Sequence, residues 1–175
     1  MTTLIYRNGE LTGDRRYGIP ALNGNNIFID HPKVHVHASR QVAFGICGDT
    51  KDRGSEAIIG DIILANMIQR AKGNEVDWMP LVKKYMGSGN TLIVITKTDA
   101  IAICNNEDGE SYTLVNLADL PFFTVGSGQN AAIGLLIMNT DINKIYQIVS
   151  RVDGMTGIKF DSILQKKLLK LRVGK

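Results

Sequence analysis

The chain has no apolar run of the roughly 20 residues that a membrane-spanning helix needs, so no such helix is expected. Cysteine is scarce: Cys47 and Cys104 are the two in 175 residues, each in an apolar, strand-like run. Two cysteines make no disulfide framework, and a pair of buried thiols is the expectation. Aromatic residues are few, with five Phe and five Tyr spread along the chain, so the stacking platform of a single-strand nucleic-acid binder is missing. The net charge is only +3, and the basic residues gather in the tail "QKKLLKLRVGK" instead of in a motif. No nucleic acid and no membrane are therefore expected as partners. There is no G-x-x-x-x-G-K-[ST] phosphate loop. The basic n-region and long apolar h-region of a signal peptide are also missing, so the expected compartment is cytoplasmic.

What is present suits a globular chain. Hydrophobic residues make up 44% and charged residues 21%, enough for one domain over residues 1–175 with a substantial core and too little for two ordinary ones. "TTLIY" reads as a strand, and "RNGEL" carries the Asn-Gly signal of a tight hairpin. "NNIFID", "KVHVHA" and "QVAFGICG" read as further strands. The period then changes. Ile58, Ile59, Ile62, Ile63 and Met67 recur at helical spacing, with Asp52 or Ser55 as cap and Gly73 as stop. "VDWMPLVKKYM" is a second helix interrupted by Pro80. "NTLIVIT", "AIAIC", "SYTLVN" and "FFTVG" are strands, and "GQNAAIGLLIMN" and "DINKIYQIVSRV" are helices. Asp141 caps the second of these, with Ile142, Ile145, Ile148, Val149 and Val152 on one face. "GIKFDSI" closes the chain as a strand. Strands in blocks, alternating with helix pairs, predict an α+β fold of antiparallel sheets with helices packed outside them.

The paired threonines at the start raise a chemical question. A threonine hydroxyl needs a base beside it to act as a nucleophile. An N-terminal threonine carries one in its own α-amine, whose unperturbed pKa of about 7.7–8.0 lies far nearer neutrality than a lysine's. Thr2 gains that amine only when Met1 is removed. "TGDRR" supplies Asp14 and Arg16, and "HPKVHVH" places Lys33 where a strand begins. A buried cation beside Thr2 would favour its deprotonated state. "FGICGD" puts Gly48 at a strand end, where a backbone N–H can face an oxyanion. "TVGSGQNAA" sets Ser127 in a glycine-flanked turn. His35 and His37 alternate on one strand, and a metal site there would need His31 as third ligand; a polar sheet face is the simpler reading.

Taken in this order, "TTLIYRNGELTGDRR", "KVHVHASRQVAFGICGDTKD", "GSGQNAAIGLL" and "DGMTGIKF" resemble the proteasome β-type, HslV-like family of N-terminal-nucleophile threonine peptidases. The likeness spans nearly the whole chain. It implies a four-layer α-β-β-α sandwich, and an endopeptidase that degrades unfolded polypeptide inside stacked homo-oligomeric rings of six or seven subunits, often gated by a separate AAA+ ATPase unfoldase. It implies roles as well. Thr2 would be nucleophile and, through its amine, general base. Lys33 would lower proton affinity at Thr2, and Asp14 would pair with Lys33. The Gly48 N–H would bind the oxyanion. Ser127 would hydrogen-bond the Thr2 amine, with Asp153 and Thr156 supporting it. Ile46 would line the pocket for the residue before the cut and favour apolar side chains. No cofactor is implied for the chemistry; backbone carbonyls of Ser150, Asp153 and Thr156 have the spacing to hold a structural monovalent or divalent cation. Asp49, beside the oxyanion strand, departs from the family's usual small residue and is expected to point outward. Two other readings compete: a non-proteolytic ring or shell protein that keeps Met1, and a small-molecule amidase of the same chemistry.

Overall fold

The structure, a computed structural model, describes residues 2–20, 26–48 and 54–173. The expectations placed on Met1, Asp49 and Asp52 lie outside them. Strands β1 (Thr3–Arg7) and β2 (Glu10–Asp14) form the expected hairpin. Asn8 and Gly9 both have positive φ, 51° and 75°, the requirement of the tight turn whose twist matches its strands. β3 (Arg16–Pro20) and β4 (Asn26–Asp30) pair as a separate two-stranded ribbon. β5 (Val34–Val36), β6 (Val42–Cys47), β7 (Thr91–Thr96), β8 (Ala100–Asn105) and β9 (Tyr112–Asn116) follow one another across a five-stranded antiparallel sheet. β10 (Phe122–Gly126) and β11 (Phe160–Leu164) flank the first hairpin in a four-stranded sheet of order β10-β1-β2-β11. The helices are α1 (Glu56–Ala71), α2 (Met79–Tyr85), α3 (Gln129–Ile137) and α4 (Ile142–Val152).

Three apolar clusters stack these elements into four layers. Between the sheets lie Leu4, Tyr6 and Leu11 against Ala43, Ile93, Ile95 and Ala102. Outside the five-stranded sheet, Ile59, Ile63 and Met67 of α1 and Leu81 and Val82 of α2 cover Phe44, Val94, Ile101 and Ile103. Outside the other sheet, Ala132, Leu136, Ile145, Tyr146 and Val149 cover Ile5. Strand periodicity does the sorting: Leu4 and Tyr6 face the opposite sheet while Ile5 faces the helices. β7 is buried throughout, its Leu92–Ile95 core apolar on both faces because both are covered.

The helix details agree with expectation in part. The Asp141 carboxylate accepts the Asn143 N–H at 2.9 Å as an N-cap. Pro80 falls in the first turn of α2, where a missing N–H costs no helical bond. Two residues of the predicted apolar faces are not buried. Ile58 is 53% and Val152 69% exposed. The stripe on α1 runs through 59, 63 and 67, which turns position 58 toward its edge, and Val152 is the last helical residue.

Candidate active site

Register brings the chain start to its neighbours. In the four-stranded sheet Thr3 stands opposite Gly126 on β10, and Leu4 opposite Gly13 on β2. The beginning of β1 therefore meets the end of β2, which carries Asp14, and the Gly126-Ser127-Gly128 turn. The approach is close. Gly126 has φ +114°, and a Cβ there would sit 1.6 Å from the Thr2 carbonyl oxygen. The Cys47 thiol donates to the same oxygen at 3.4 Å. Burial raises the Cys47 thiol pKa to about 11, against the smaller opposing pull of Lys33.

Asp14 is fully buried and held by five bonds. Its Oδ1 accepts from the Thr3 N–H (2.7 Å) and Lys33 Nζ (3.1 Å). Its Oδ2 accepts from Lys33 Nζ (3.0 Å) and from the N–H groups of Arg16 (2.9 Å) and Gly157 (3.1 Å). The pair expected from sequence, Lys33 with Asp14, is thus formed inside the protein, with the Lys33 side chain 5% exposed. Burial pulls the Lys33 pKa below that of a free lysine, and the attraction of Asp14 restores only part of the loss.

A second network lies on the other side of Thr3. The Ser127 hydroxyl donates to Asp153 Oδ2 at 2.6 Å, and the Thr156 hydroxyl donates to the same oxygen. The Met155 N–H donates to Oδ1 at 3.0 Å. Burial raises the Asp153 pKa, but the Ser127, Thr156 and Met155 hydrogen bonds outweigh it, and the net shift is downward. Thr156 and Thr3 hydroxyls meet at 2.6 Å, and the Gly128 N–H donates to Thr3 Oγ1 at 3.1 Å. The proton order follows from this. Thr156 spends its one proton on the carboxylate, so Thr3 donates to Thr156 while accepting from Gly128. The Thr3 carbonyl accepts from the buried Tyr146 hydroxyl at 3.2 Å.

Thr2 and Lys33 open onto one cavity of about 260 Å³, whose walls include Ile46, Gly48, His31 and Glu56. Gly48 has φ +107°, and a Cβ there would strike the Asn90 amide at 1.8 Å. The histidines do not converge. His35 stacks on Phe44 at 5.4 Å, whereas His37 joins Asp61 at 2.9 Å and Ser39 at 2.8 Å. Among the described residues no three His, Cys, Asp or Glu are grouped to hold a metal ion. Ser150 and Asp153 lie at the end of α4, and the Thr156 N–H donates to the Asp153 carbonyl at 3.1 Å. The geometry adds Thr3, Cys47, Gly126, Tyr146 and Gly157 to the site residues proposed from sequence. The doubled threonine and the glycine before Ser127 were signals for two of them. Cys47, Tyr146 and Gly157 carried none.

No family model and no curated protein matches the chain. Solved structures do. HslV from Trypanosoma brucei superimposes with a TM-score of 0.57 at 16% identity, over 93% of this chain and 98% of that one. The BPH protein of Thiobacillus denitrificans, solved with epoxomicin, gives 0.55 at 10% identity over 97% and 98%. An Anbu (Gly-1) mutant from Hyphomicrobium sp. strain MC1 gives 0.53 at 10% identity over 94% and 81%. The chain shares the α+β sandwich fold of these solved structures.

Proposed function

We propose that the chain is a threonine endopeptidase subunit of a self-compartmentalising cytoplasmic ring protease, with Thr2, freed of Met1, as nucleophile. The observation that carries this reading is that Lys33, paired with the buried Asp14, lines the same cavity as Thr2. The Thr2 hydroxyl attacks a peptide carbonyl carbon and passes its proton to the Thr2 amine, directly or through a water. The Gly48 N–H takes the oxyanion, and Lys33, desolvated and cationic, stabilises the developing charge at Thr2. The intermediate collapses, the C–N bond breaks, and the amine returns its proton to the departing peptide amine. Water then hydrolyses the threonyl ester and restores the site. Ser127, its proton committed to Asp153, keeps lone pairs to accept from the Thr2 amine. Ile46 and Ile29 suit an apolar side chain before the cut. The assembly would be a stacked homo-oligomeric ring of six or seven subunits fed with unfolded polypeptide by an AAA+ partner. A structural cation on the carbonyls of Ser150, Asp153 and Thr156 belongs to the same reading, since neutral oxygens beside a carboxylate suit a hard cation.

Thr2→Ala should abolish hydrolysis of a fluorogenic peptide while leaving the melting temperature within a few degrees, and intact mass of the active protein should lack Met1. Epoxomicin should add its mass to the wild-type chain and not to the variant. Unchanged turnover in Thr2→Ala removes the mechanism.

A further inference from the structure

The basic tail builds a surface of its own. Leu168 is 3% exposed and plugs the cluster between the sheets. The Leu169 N–H donates to the Arg40 carbonyl at 2.8 Å and the Arg172 N–H to Gln41 Oε1 at 2.6 Å, which ties the tail to the β5–β6 turn. A groove of about 450 Å³ opens there, with Val36, His37, Arg40, Ile163 and Lys167 in its walls. It lies between two sheet edges, since β5 ends the five-stranded sheet and β11 ends the four-stranded one. Among the described residues, Arg40, Lys166, Lys167, Lys170 and Arg172 are in no ion pair, and these five cations exceed the chain's whole net charge of +3. Of the acids beside the groove, Asp61 pairs with His37, and Glu10 accepts from Ser162.

The opposite edge carries the complement. The β8–β9 turn exposes Glu107, Asp108 and Glu110, again in no ion pair among the described residues. The turn is braced. Asp108 accepts the N–H groups of Glu110 (2.9 Å) and Ser111 (3.1 Å) and the Ser111 hydroxyl (2.8 Å). Leu114 on β9 is 41% exposed, as Val36 is 46% exposed at the groove. β5 and β9 are four interstrand spacings apart, roughly 19 Å. That separation exceeds the screening length of about 8 Å at physiological salt, so the two charge sets do not neutralise each other within one chain.

We propose that the Arg40–Lys167 groove of one copy receives the Glu107–Glu110 turn of a second copy. Complementary charge and an apolar patch on each side recommend that occupant over a nucleic acid, for which the groove has no aromatic platform. Unlike surfaces on opposite edges make the contact heterologous, so it repeats from copy to copy and closes into a ring where the rotation allows. This deepens the assembly half of the proposed function and does not depend on the chemistry at Thr2.

Sedimentation velocity on the full chain, at 50 and 500 mM NaCl, tests it. The wild type should associate at low salt and weaken about tenfold or more at high salt. Arg40→Glu with Lys167→Glu should dissociate it, and so should Glu107→Lys with Asp108→Lys, each with an unchanged melting curve. An equimolar mixture of the two variants should associate again, because the reversed groove then meets a reversed turn. A chain with all four reversals should also associate. A wild type that stays monomeric, an assembly unmoved by both reversals, or a mixture that stays dissociated overturns the proposal. Peptide hydrolysis on the same samples reports separately on Thr2.

Discussion

Thr3→Val isolates what the second threonine does. The substitution keeps the shape and removes one hydroxyl, which accepts the Gly128 N–H at 3.1 Å and donates to Thr156 at 2.6 Å. Thr3 is fully buried, so water cannot replace either partner. A buried donor left without an acceptor costs about 1–3 kcal/mol. A methyl group in the hydroxyl's place also meets Thr156 Oγ1 well inside the roughly 3.3 Å that a carbon–oxygen contact needs, which adds strain. Together the loss should be about 2–4 kcal/mol. Thr3→Ser keeps both hydrogen bonds and gives up one methyl, about 0.8 kcal/mol. With a urea m-value of about 2 kcal/mol/M, the two variants should separate by roughly 0.5–1.5 M in denaturation midpoint. On the proposed function, Thr3→Val should also lower kcat for peptide, because Thr156 and Asp153 then lose the chain that ties them to the residue after Thr2. A valine variant as stable as the serine variant would refute the anchoring role assigned to the Thr3 hydroxyl.

Three other tests follow from single contacts. Cys47, its thiol pKa pushed up to about 11 and its hydrogen committed to the Thr2 carbonyl, should resist iodoacetamide at pH 8 in the folded protein and react after unfolding, read by intact mass. Gly126→Ala should cost more than about 4 kcal/mol and cut soluble yield, since its Cβ would overlap the Thr2 carbonyl, whereas Gly134→Ala, open on its helix, should gain about 0.5–1 kcal/mol. The Asp153 carboxyl binds its proton less tightly folded than unfolded, where its pKa is 3.8. Its contribution is therefore complete above that value and is lost as pH falls through the folded pKa; Asp153→Asn should flatten the acid limb of a stability–pH curve.

The architecture was legible because its signals are local. The Asn8–Gly9 turn, the Asp141 cap and the uninterrupted apolar run of β7 each declare themselves within a few residues. Periodicity was less exact. It locates an apolar stripe on α1 and α4 but not its centre, and Ile58 and Val152 fall at its exposed margin. β3 carries no such local signal, since it pairs only with β4 in an isolated ribbon.

The site was legible only as far as its residues carry unusual chemistry alone. Asp14, Lys33 and Ser127 stand out as charge or as punctuation, and the structure does bring Asp14 to Lys33. What joins them to the chain start is long-range. The Thr3–Thr156 contact spans 153 residues and the Tyr146–Thr3 contact 143. Tyr146 sits on α4 where a helix of this sequence would bury any large residue, and nothing nearby marks its hydroxyl as a tether. The doubled threonine had a physical reason that register alone discloses. Thr2 precedes β1 and lines the cavity, and it is Thr3, the first residue of the strand, that makes the attachments: main chain to Asp14 and Tyr146, hydroxyl to Gly128 and Thr156. Fixing Thr3 in this way holds the residue before it in place against the cavity wall, the positioning that the nucleophile role proposed for Thr2 would require.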